Sequence, residues 1–275
     1  MSSGTVDIAI MTPLVEEWEE MIKHLDEGVD VSTWSPAKRG IIGVHSVLCA
    51  VAGKGQEEMS SALTLTLERA KPSTVILVGV AGGFPALKVN RGDVVVAHSV
   101  HSFDYGKLSD GRFIRRPEND YNCDRGLLEF ANLIARSETT DWREHISRPR
   151  PDSASVQTSK AHTDCYLASS NKVVDDPDHE FYASVAASFD EIHAVETEAV
   201  GAGASVRLAQ SERQISLIVI RGISDEPGAP LAGGTADRKL WLRYAAAAAA
   251  AFTRSLIESL PSKKKLKLPS QLPRQ

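Results

Sequence analysis

Two short stretches of the chain carry carboxylates at the ends of segments that have the character of buried strands. In the first, residues 215–220 (ISLIVI) form a nearly continuous apolar run, which is typical of a strand buried on both faces. The run is followed by Arg221-Gly222-Ile223-Ser224-Asp225, so a hydroxyl and a carboxylate come just past the predicted strand end. Ligands of open α/β sheets bind outside the carboxyl ends of strands, which makes Ser224 and Asp225 candidate site residues. A turn or a cap is the ordinary alternative for Asp225.

The second stretch is residues 193–203 (HAVETEAVGAG), where an extended apolar segment ends in two carboxylates. Glu196 and Glu198 are separated by Thr197, and a run of small residues follows them. Small residues allow a helix backbone to pack closely, and we expect the helix after Glu198 to pack against a sheet. The segment therefore predicts a strand, two acidic side chains at its end, and a closely packed helix.

Taken together, the two stretches resemble the nucleoside phosphorylase and nucleosidase superfamily, and within it the methylthioadenosine/S-adenosylhomocysteine nucleosidases. Members carry a V-E-M-E-[AG]-x-[AG] segment and then a strand that ends in R-x-I-S-D. Both motifs occur here in the same order, with Thr197 where the family usually has Met and Gly222 in the variable slot. Two motifs in order are much more specific than either one alone.

The resemblance implies an α/β fold with three α/β/α layers around a mixed central sheet. It assigns Asp225 to protonating the purine at N7, with Ser224 orienting it, and Glu198 to binding the ribose hydroxyls. It also places Glu196 and Thr197 at the substrate site. No cofactor and no metal are implied.

The group that activates the nucleophile is predicted near the amino terminus, in residues 12–17 (TPLVEE). Glu16 and Glu17 open a predicted helix, where the helix dipole favours negative charge, so a helix-start role is the alternative for both. The resemblance gives the last carboxylate of this cluster, Glu17, the task of activating the attacking water, with Glu16 in reserve. Related phosphorylases carry a Gly-x-Pro-x-Arg phosphate loop here, and its absence favours hydrolysis. Arg39 keeps phosphorolysis open, although a basic hairpin tip is its ordinary explanation and the one that we prefer.

Two further segments are predicted to line the pocket. Residues 79–84 (GVAGGF) follow a predicted strand and resemble the family's G-[ST]-A-G-G, so Val80, Ala81 and Gly82 are candidate substrate-binding residues. Glycines there allow backbone amides to approach a ligand, although a tight turn is the alternative. Val80 replaces a hydroxyl residue that helps phosphorylases to hold phosphate, which again favours water. Residues 167–174 (LASSNKVV) resemble I-A-S-G-D-x-[FV]-[IV], which assigns Val173 and Val174 to the purine pocket; core valines are the alternative.

Length and composition limit the remaining possibilities. We expect a single domain over residues 1–260, a polar insertion at about 107–150 with a helix from 125 to 136, and a basic disordered tail at 261–275. The net charge of −5 gives no general attraction to nucleic acid or to an anionic membrane. No apolar run approaches the roughly 18 residues of a membrane span, and the amino terminus lacks a basic signal-peptide region. Three cysteines without paired spacing favour a reducing, cytoplasmic compartment.

The expected partner is therefore a small molecule, a purine nucleoside or nucleotide that most simply contains adenine. The resemblance also implies a homo-oligomer, a dimer or higher. The 5′ group of the substrate stays open, because the match is poorest where that group would bind. Two alternatives to hydrolysis stay open as well: a phosphate-dependent nucleoside phosphorylase, and a non-catalytic regulatory module that binds a nucleoside.

Overall fold

The computed structural model describes residues 4–31, 35–84, 87–137, 139, 141–152, 158–173, 191–227 and 234–262. Val174 and the basic tail from residue 263 onward, for which predictions were made above, lie outside these ranges. A ten-stranded sheet forms the centre of the described part of the chain. Helices α1 and α5 pack on each other at one face of the sheet, and α2 and α4 pack on each other at the other face. The predicted three-layer α/β/α arrangement is confirmed.

The bounds of the elements follow the chain. The strands are β1 (Ile8–Thr12), β2 (Asp26–Asp30), β3 (Ala37–Ile42), β4 (His45–Val51), β5 (Thr74–Gly83), β6 (Val94–Ser102), β7 (Gly106–Ser109), β8 (Arg112–Arg115), β9 (Tyr121–Asn122), β10 (Ala161–Ser169), β11 (Ala194–Glu196) and β12 (Ser216–Asp225). The helices are α1 (Val15–Met21), α2 (Gln56–Ala70), α3 (Arg125–Arg136), α4 (Ala199–Gln210) and α5 (Gly234–Ser259). None of the helices in the described ranges is long and apolar enough to cross a membrane.

The sheet is mixed, and β5 lies near its middle. Along the main path the order is β11-β10-β6-β12-β5-β1-β4-β3-β2, and β9 pairs with β6 beside it. Strand β5 is parallel to β1 on one side and to β12 on the other, while β12 is antiparallel to β6. Because β1, β5 and β12 run in the same direction, their carboxyl ends meet at one edge of the sheet.

Strands β5 and β12 extend further than the sequence predicts. The apolar run that ends at Ile220 continues as a strand to Asp225, and β5 continues through the predicted glycine turn to Gly83. The two glycine-containing ends pair with each other: Arg221 is opposite Gly79, and Asp225 is opposite Gly82 after a shift in register. The strand end read from the apolar run alone, before Arg221, was therefore wrong, whereas the strand ending in R-x-I-S-D that the resemblance implies is present. A neighbouring strand supplies the hydrogen bonds that a turn would otherwise supply.

Helix α5 packs directly on the sheet through its alanines. All residues from Ala245 to Ala251 are buried, and a Cβ placed on Gly222 would lie 1.9 Å from the Ala245 carbonyl oxygen. The variable slot of the R-x-I-S-D motif thus holds glycine because the helix backbone occupies the space of a side chain. The small residues of α4 pack closely on two neighbours. A Cβ on Gly201 would lie 2.0 Å from the carbonyl oxygen of Gln56 in α2, and a Cβ on Gly203 would lie 2.2 Å from the Tyr121 ring in β9 of the sheet, so the predicted approach to the sheet occurs at Gly203 only.

The segment predicted as an insertion combines a separate hairpin with elements that join the main fold. Strands β7 and β8 form a two-stranded sheet of their own. Strand β9 pairs with β6, and α3, which has the predicted bounds, packs on β10 and α5. Arg39 lies within β3, where its guanidinium donates to the Gly4 carbonyl oxygen, so its interpretation as a hairpin tip was wrong.

Candidate active site

The carboxyl end of β5 is the point at which the candidate residues meet. The backbone N–H of Val80 donates to Glu17 Oε1 at 2.8 Å, which brings the start of α1 to this edge. Gly82 pairs with Asp225 on one side and with Val195, the neighbour of Glu196, on the other. Three segments that are far apart in sequence therefore contact the same four residues, 79–82.

Arg221 is the centre of the site, although sequence reasoning gave it no role. Its side chain is completely buried, and one guanidinium nitrogen, Nη2, donates both to Glu196 and to Glu198 Oε2, the latter at 3.1 Å. Burial opposes the charged guanidinium, but Glu196, Glu198 and Glu17 more than offset this and raise the pKa of Arg221. A charged residue at the end of an apolar run must be paired when it is buried, and that signal was present in the sequence.

Glu196 and Glu198 differ in how much of each carboxylate is already occupied. Glu196 accepts hydrogen bonds from the backbone N–H groups of Glu198 and Ala199, at 3.0–3.1 Å, in addition to Arg221. Burial is the main cause that raises the pKa of Glu198, and Glu196 adds to it, while Arg221 opposes it. The arrangement makes Glu196 an anchor for Arg221 and for the first turn of α4.

Glu17 is a buried carboxyl group with two backbone donors. Its side chain accepts from the Leu14 N–H at 2.7 Å and from the Val80 N–H at 2.8 Å. Burial nevertheless raises its pKa to about 8, against the opposing effects of Arg221 and the two amides. Glu17 belongs to the first turn of α1, so the same residue is at the start of the helix and at the candidate site. A group with this pKa can take a proton from a weak acid near neutral pH.

Asp225 ends β12 on the outer side of the site. The Ser224 hydroxyl donates to Asp225 Oδ1 at 2.6 Å, which is the orienting contact that the sequence predicts. The Asp225 side chain is 28% exposed, and Arg238 Nη2 of α5 lies 3.9 Å from Oδ2. The Asp225 carboxylate is thus oriented by the Ser224 hydroxyl and remains partly accessible to solvent or to a ligand.

Of the two segments predicted to line the pocket, residues 79–84 lie at the site, whereas Val173 is largely exposed. Val80, Ala81 and Gly82 lie at the meeting point described above, with Ala81 buried. Val173 is 75% exposed, and its partner in the prediction, Val174, is outside the described residues. The backbone contact of these valines with a purine therefore stays a prediction.

Several buried polar atoms at this edge have no hydrogen-bond partner within the described residues. They are Nε and Nη1 of Arg221 and Oγ1 of Thr12, the last residue of β1. Arg221 Nη1 and Glu17 Oε1 both lie against Gly79, within 3 Å of the position that a Cβ would take there. Polar atoms that are buried without partners in the protein are suited to bind a ligand or a water molecule. In the described ranges, no group of three or more His, Cys, Asp or Glu residues is arranged to hold a metal ion.

Gly79 is required by this geometry, which gives a first testable prediction. A Cβ at Gly79 would lie 2.1 Å from Arg221 Nη1 and 2.8 Å from Glu17 Oε1, so Gly79→Ala must displace one of them. We expect activity to fall by a factor of at least about 100, because a misplacement of about 1 Å has an effect of that size. The measurement is kcat/KM of purine release, together with the melting temperature.

The matched control is Gly126→Ala in α3, whose Cβ would meet nothing closer than Asp124 Oδ1 at 3.2 Å. It should leave kcat/KM unchanged within about twofold, as surface substitutions normally do. If Gly79→Ala kept the wild-type kcat/KM, the positions of the Arg221 and Glu17 side chains beside Gly79 would not be needed for activity.

Both the sequence and the fold of this chain are similar to those of known proteins. The family model of the phosphorylase superfamily matches residues 7–258. A 5′-methylthioadenosine/S-adenosylhomocysteine nucleosidase of Bacillus cereus (strain B4264) is 27% identical over 194 residues, which cover 69% of this chain and 72% of the relative. The crystal structure of the nucleosidase of that name from Neisseria meningitidis, in complex with methylthio-immucillin-A, has a TM-score of 0.72 at 20% identity and covers 92% of this chain and 99% of its own. Futalosine hydrolase of Helicobacter pylori has a TM-score of 0.70 at 19% identity, over 92% and 97% of the two chains.

Proposed function

The chain belongs to the phosphorylase superfamily, and we propose that it hydrolyses the N-glycosidic bond of a purine nucleoside or nucleotide, most simply one of adenine. The observation that carries this proposal is the buried cluster of three carboxylates, Glu17, Glu196 and Glu198, around the single cation of Arg221. The name of the Bacillus cereus relative and the inhibitor in the Neisseria meningitidis structure agree with it.

Cleavage of the bond requires the purine to leave as a neutral base. Asp225 donates a proton to N7 in this proposal, so that the electrons of the broken C1′–N9 bond are accepted by the protonated ring. The Ser224 hydroxyl holds Asp225 Oδ1 at 2.6 Å and leaves Oδ2 to face the base. The site residues Val80, Ala81, Gly82, Val173 and Val174 are proposed to surround that base.

The sugar becomes positively charged as the purine leaves, and the cluster is suited to stabilise it. When Glu17 is protonated, Glu196 and Glu198 together carry one negative charge more than Arg221 compensates. That charge is buried, where electrostatic interactions are stronger than in water. Glu198 is proposed to bind the ribose hydroxyls, with Thr197 beside it and Glu196 holding Arg221 in place.

Water completes the reaction on the other face of the sugar. Glu17 takes a proton from water as the oxygen bonds to C1′, and Arg221 Nη1, which lies against Gly79 as Glu17 Oε1 does and has no hydrogen-bond partner within the described residues, orients that water. Phosphate is disfavoured, because carboxylates would repel it and because Arg39, in β3, is engaged by the Gly4 carbonyl. No step of this scheme requires a cofactor or a metal.

Three further properties belong to the proposal. The ligand is a small molecule, and neither a nucleic acid nor a membrane is a partner. The protein is a homo-oligomer, a dimer or higher, as the resemblance implies. It works in the cytoplasm, since the three described cysteines are free and buried, as expected for a reducing compartment.

The proposal is tested by product analysis with the full-length chain. Adenosine, methylthioadenosine, S-adenosylhomocysteine and adenosine monophosphate are incubated with the protein, with and without phosphate, and the products are separated by chromatography. We expect adenine and a free sugar at a rate that does not depend on phosphate. Phosphate-dependent release with a sugar 1-phosphate would identify a phosphorylase, and binding without release would identify the regulatory module.

A further inference from the structure

Thr197 contacts the carboxylate that is proposed to bind the sugar. Its hydroxyl donates to Glu198 Oε1, and the backbone N–H of Gly55 donates to the same oxygen at 3.1 Å. The methionine that resembling sequences carry at this position could not make the first of these contacts, because a thioether has no hydrogen to donate. The hydroxyl is thus a feature of this chain's own site.

The number of hydrogen bonds that Glu198 can accept is limited. A carboxylate offers about four lone-pair positions, two on each oxygen. Gly55 and Thr197 occupy both positions of Oε1, and Arg221 Nη2 occupies one position of Oε2 at 3.1 Å. One position, on Oε2, is left for the substrate, whereas ribose presents two hydroxyls.

We propose that Thr197 limits Glu198 to one sugar hydroxyl, so that the second is bound only by the neutral Thr197 oxygen and the site accepts a deoxyribonucleoside. This inference rests on the proposed function, since it concerns the sugar of the same substrate. The Thr197 oxygen keeps lone pairs of its own while it donates to Glu198, so it can accept from the second hydroxyl.

The expected discrimination follows from the two kinds of acceptor. A hydrogen bond to a charged group changes affinity by a factor of roughly 10 to 150, and one between neutral groups by roughly 2 to 12. Removal of the hydroxyl that Glu198 binds should therefore be costly, and removal of the other should be mild. One of the two monodeoxy substrates should react at a rate within about tenfold of adenosine.

The experiment measures kcat/KM for adenosine, 2′-deoxyadenosine and 3′-deoxyadenosine with three proteins: wild type, Thr197→Val and Thr197→Ser. Valine has nearly the shape of threonine but no hydroxyl, so it frees a lone pair on Oε1. We expect wild type to tolerate one of the deoxynucleosides within about tenfold, and Thr197→Val to discriminate against it at least about fivefold more strongly. Thr197→Ser keeps a hydroxyl and should restore the wild-type ratio.

The ratio of substrates within one protein separates this role from a loss of folding, which would lower all three rates together. Adenosine hydrolysis with a ratio that is the same for threonine and valine would overturn the inference and leave the proposed function intact. Strong wild-type discrimination against both deoxynucleosides, by more than about 50-fold, would also overturn it. No release of adenine from any of the three, by a protein that also leaves methylthioadenosine, S-adenosylhomocysteine and adenosine monophosphate intact, would overturn the proposed function and this inference with it.

Discussion

Replacing Asp225 with asparagine should lower kcat/KM for adenine release by roughly 10²–10⁴-fold, which is the range for loss of a general acid. Asparagine keeps the shape of the side chain and can still accept the Ser224 hydroxyl, but it has no acidic proton to give to N7. The Asp225 side chain is partly exposed at the end of β12, so the fold and the melting temperature should change little. Initial rates of adenine release and thermal unfolding are the measurements.

An N7-methylated purine nucleoside sharpens this test. Its base is already cationic and cannot accept a proton at N7, so Asp225→Asn should slow its hydrolysis far less than that of adenosine. Glu226→Gln is the matched control: it removes the adjacent carboxylate, whose side chain lies 3.9 Å from Arg91, and should change the rate by less than about threefold. An equal loss with both substrates would show that Asp225 does not protonate the base.

The sequence predicted the fold and the convergence of the site because both depend on the ends of buried strands. Asp225 comes after an apolar run typical of a central strand, and Glu17 comes shortly after the similar run at residues 8–11 (IAIM). Parallel strands bring their carboxyl ends together. The burial of both strands and the meeting of β1, β5 and β12 at one edge agree with that expectation. Local sequence patterns were sufficient to predict where Asp225 and Glu17 lie, because the position of each follows from the strand that it belongs to or follows.

The features that sequence could not predict depend on contacts between distant segments. Gly222 and Ser224 are typical turn residues, yet they lie in β12 because β5 continues alongside. Gly79 looks like any glycine after a strand, and only the positions of Arg221 and Glu17 show why a side chain is excluded there. The charge of Arg221 was visible in the motif, but its partners, Glu196 and Glu198, reach it from another strand and from the start of α4.

Replacing Glu17 with glutamine should lower kcat/KM for hydrolysis by roughly 10²–10⁴-fold, since glutamine cannot accept a proton from water. In the wild type, the pKa of about 8 for Glu17 predicts that kcat/KM rises with pH and levels off above about 8, as the carboxylate form becomes populated. The variant should lose this dependence along with its activity. Rates from pH 5 to 9 at constant ionic strength provide the measurement.

The same substitution should have the opposite effect on stability at high pH. Burial raises the pKa of Glu17 from 4.5 to about 8, so the folded state binds the proton more tightly than the unfolded state does. The stabilisation that this provides is fully present below about pH 4.5 and is lost as the pH rises to about 8. The shift corresponds to a change of at most about 5 kcal/mol in the free energy of unfolding. The free energy of unfolding of Glu17→Gln should lack this pH-dependent loss. The variant should therefore become more stable relative to the wild type as the pH rises from about 4.5 to about 8.

Glu16→Gln is the control for both measurements, because it removes a neighbouring charge from the first turn of α1, while the hydrogen bond from the Val80 N–H is to Glu17. Its pH profiles for activity and for stability should follow those of the wild type. Comparing variants at each pH cancels the titration of other groups, such as His24, whose pKa burial lowers to about 4. Parallel stability profiles for Glu17→Gln and wild type would mean that Glu17 is already ionised at neutral pH. Glu17 would then already be a carboxylate that can accept a proton from water, and kcat/KM of the wild type should not change with pH above about 6.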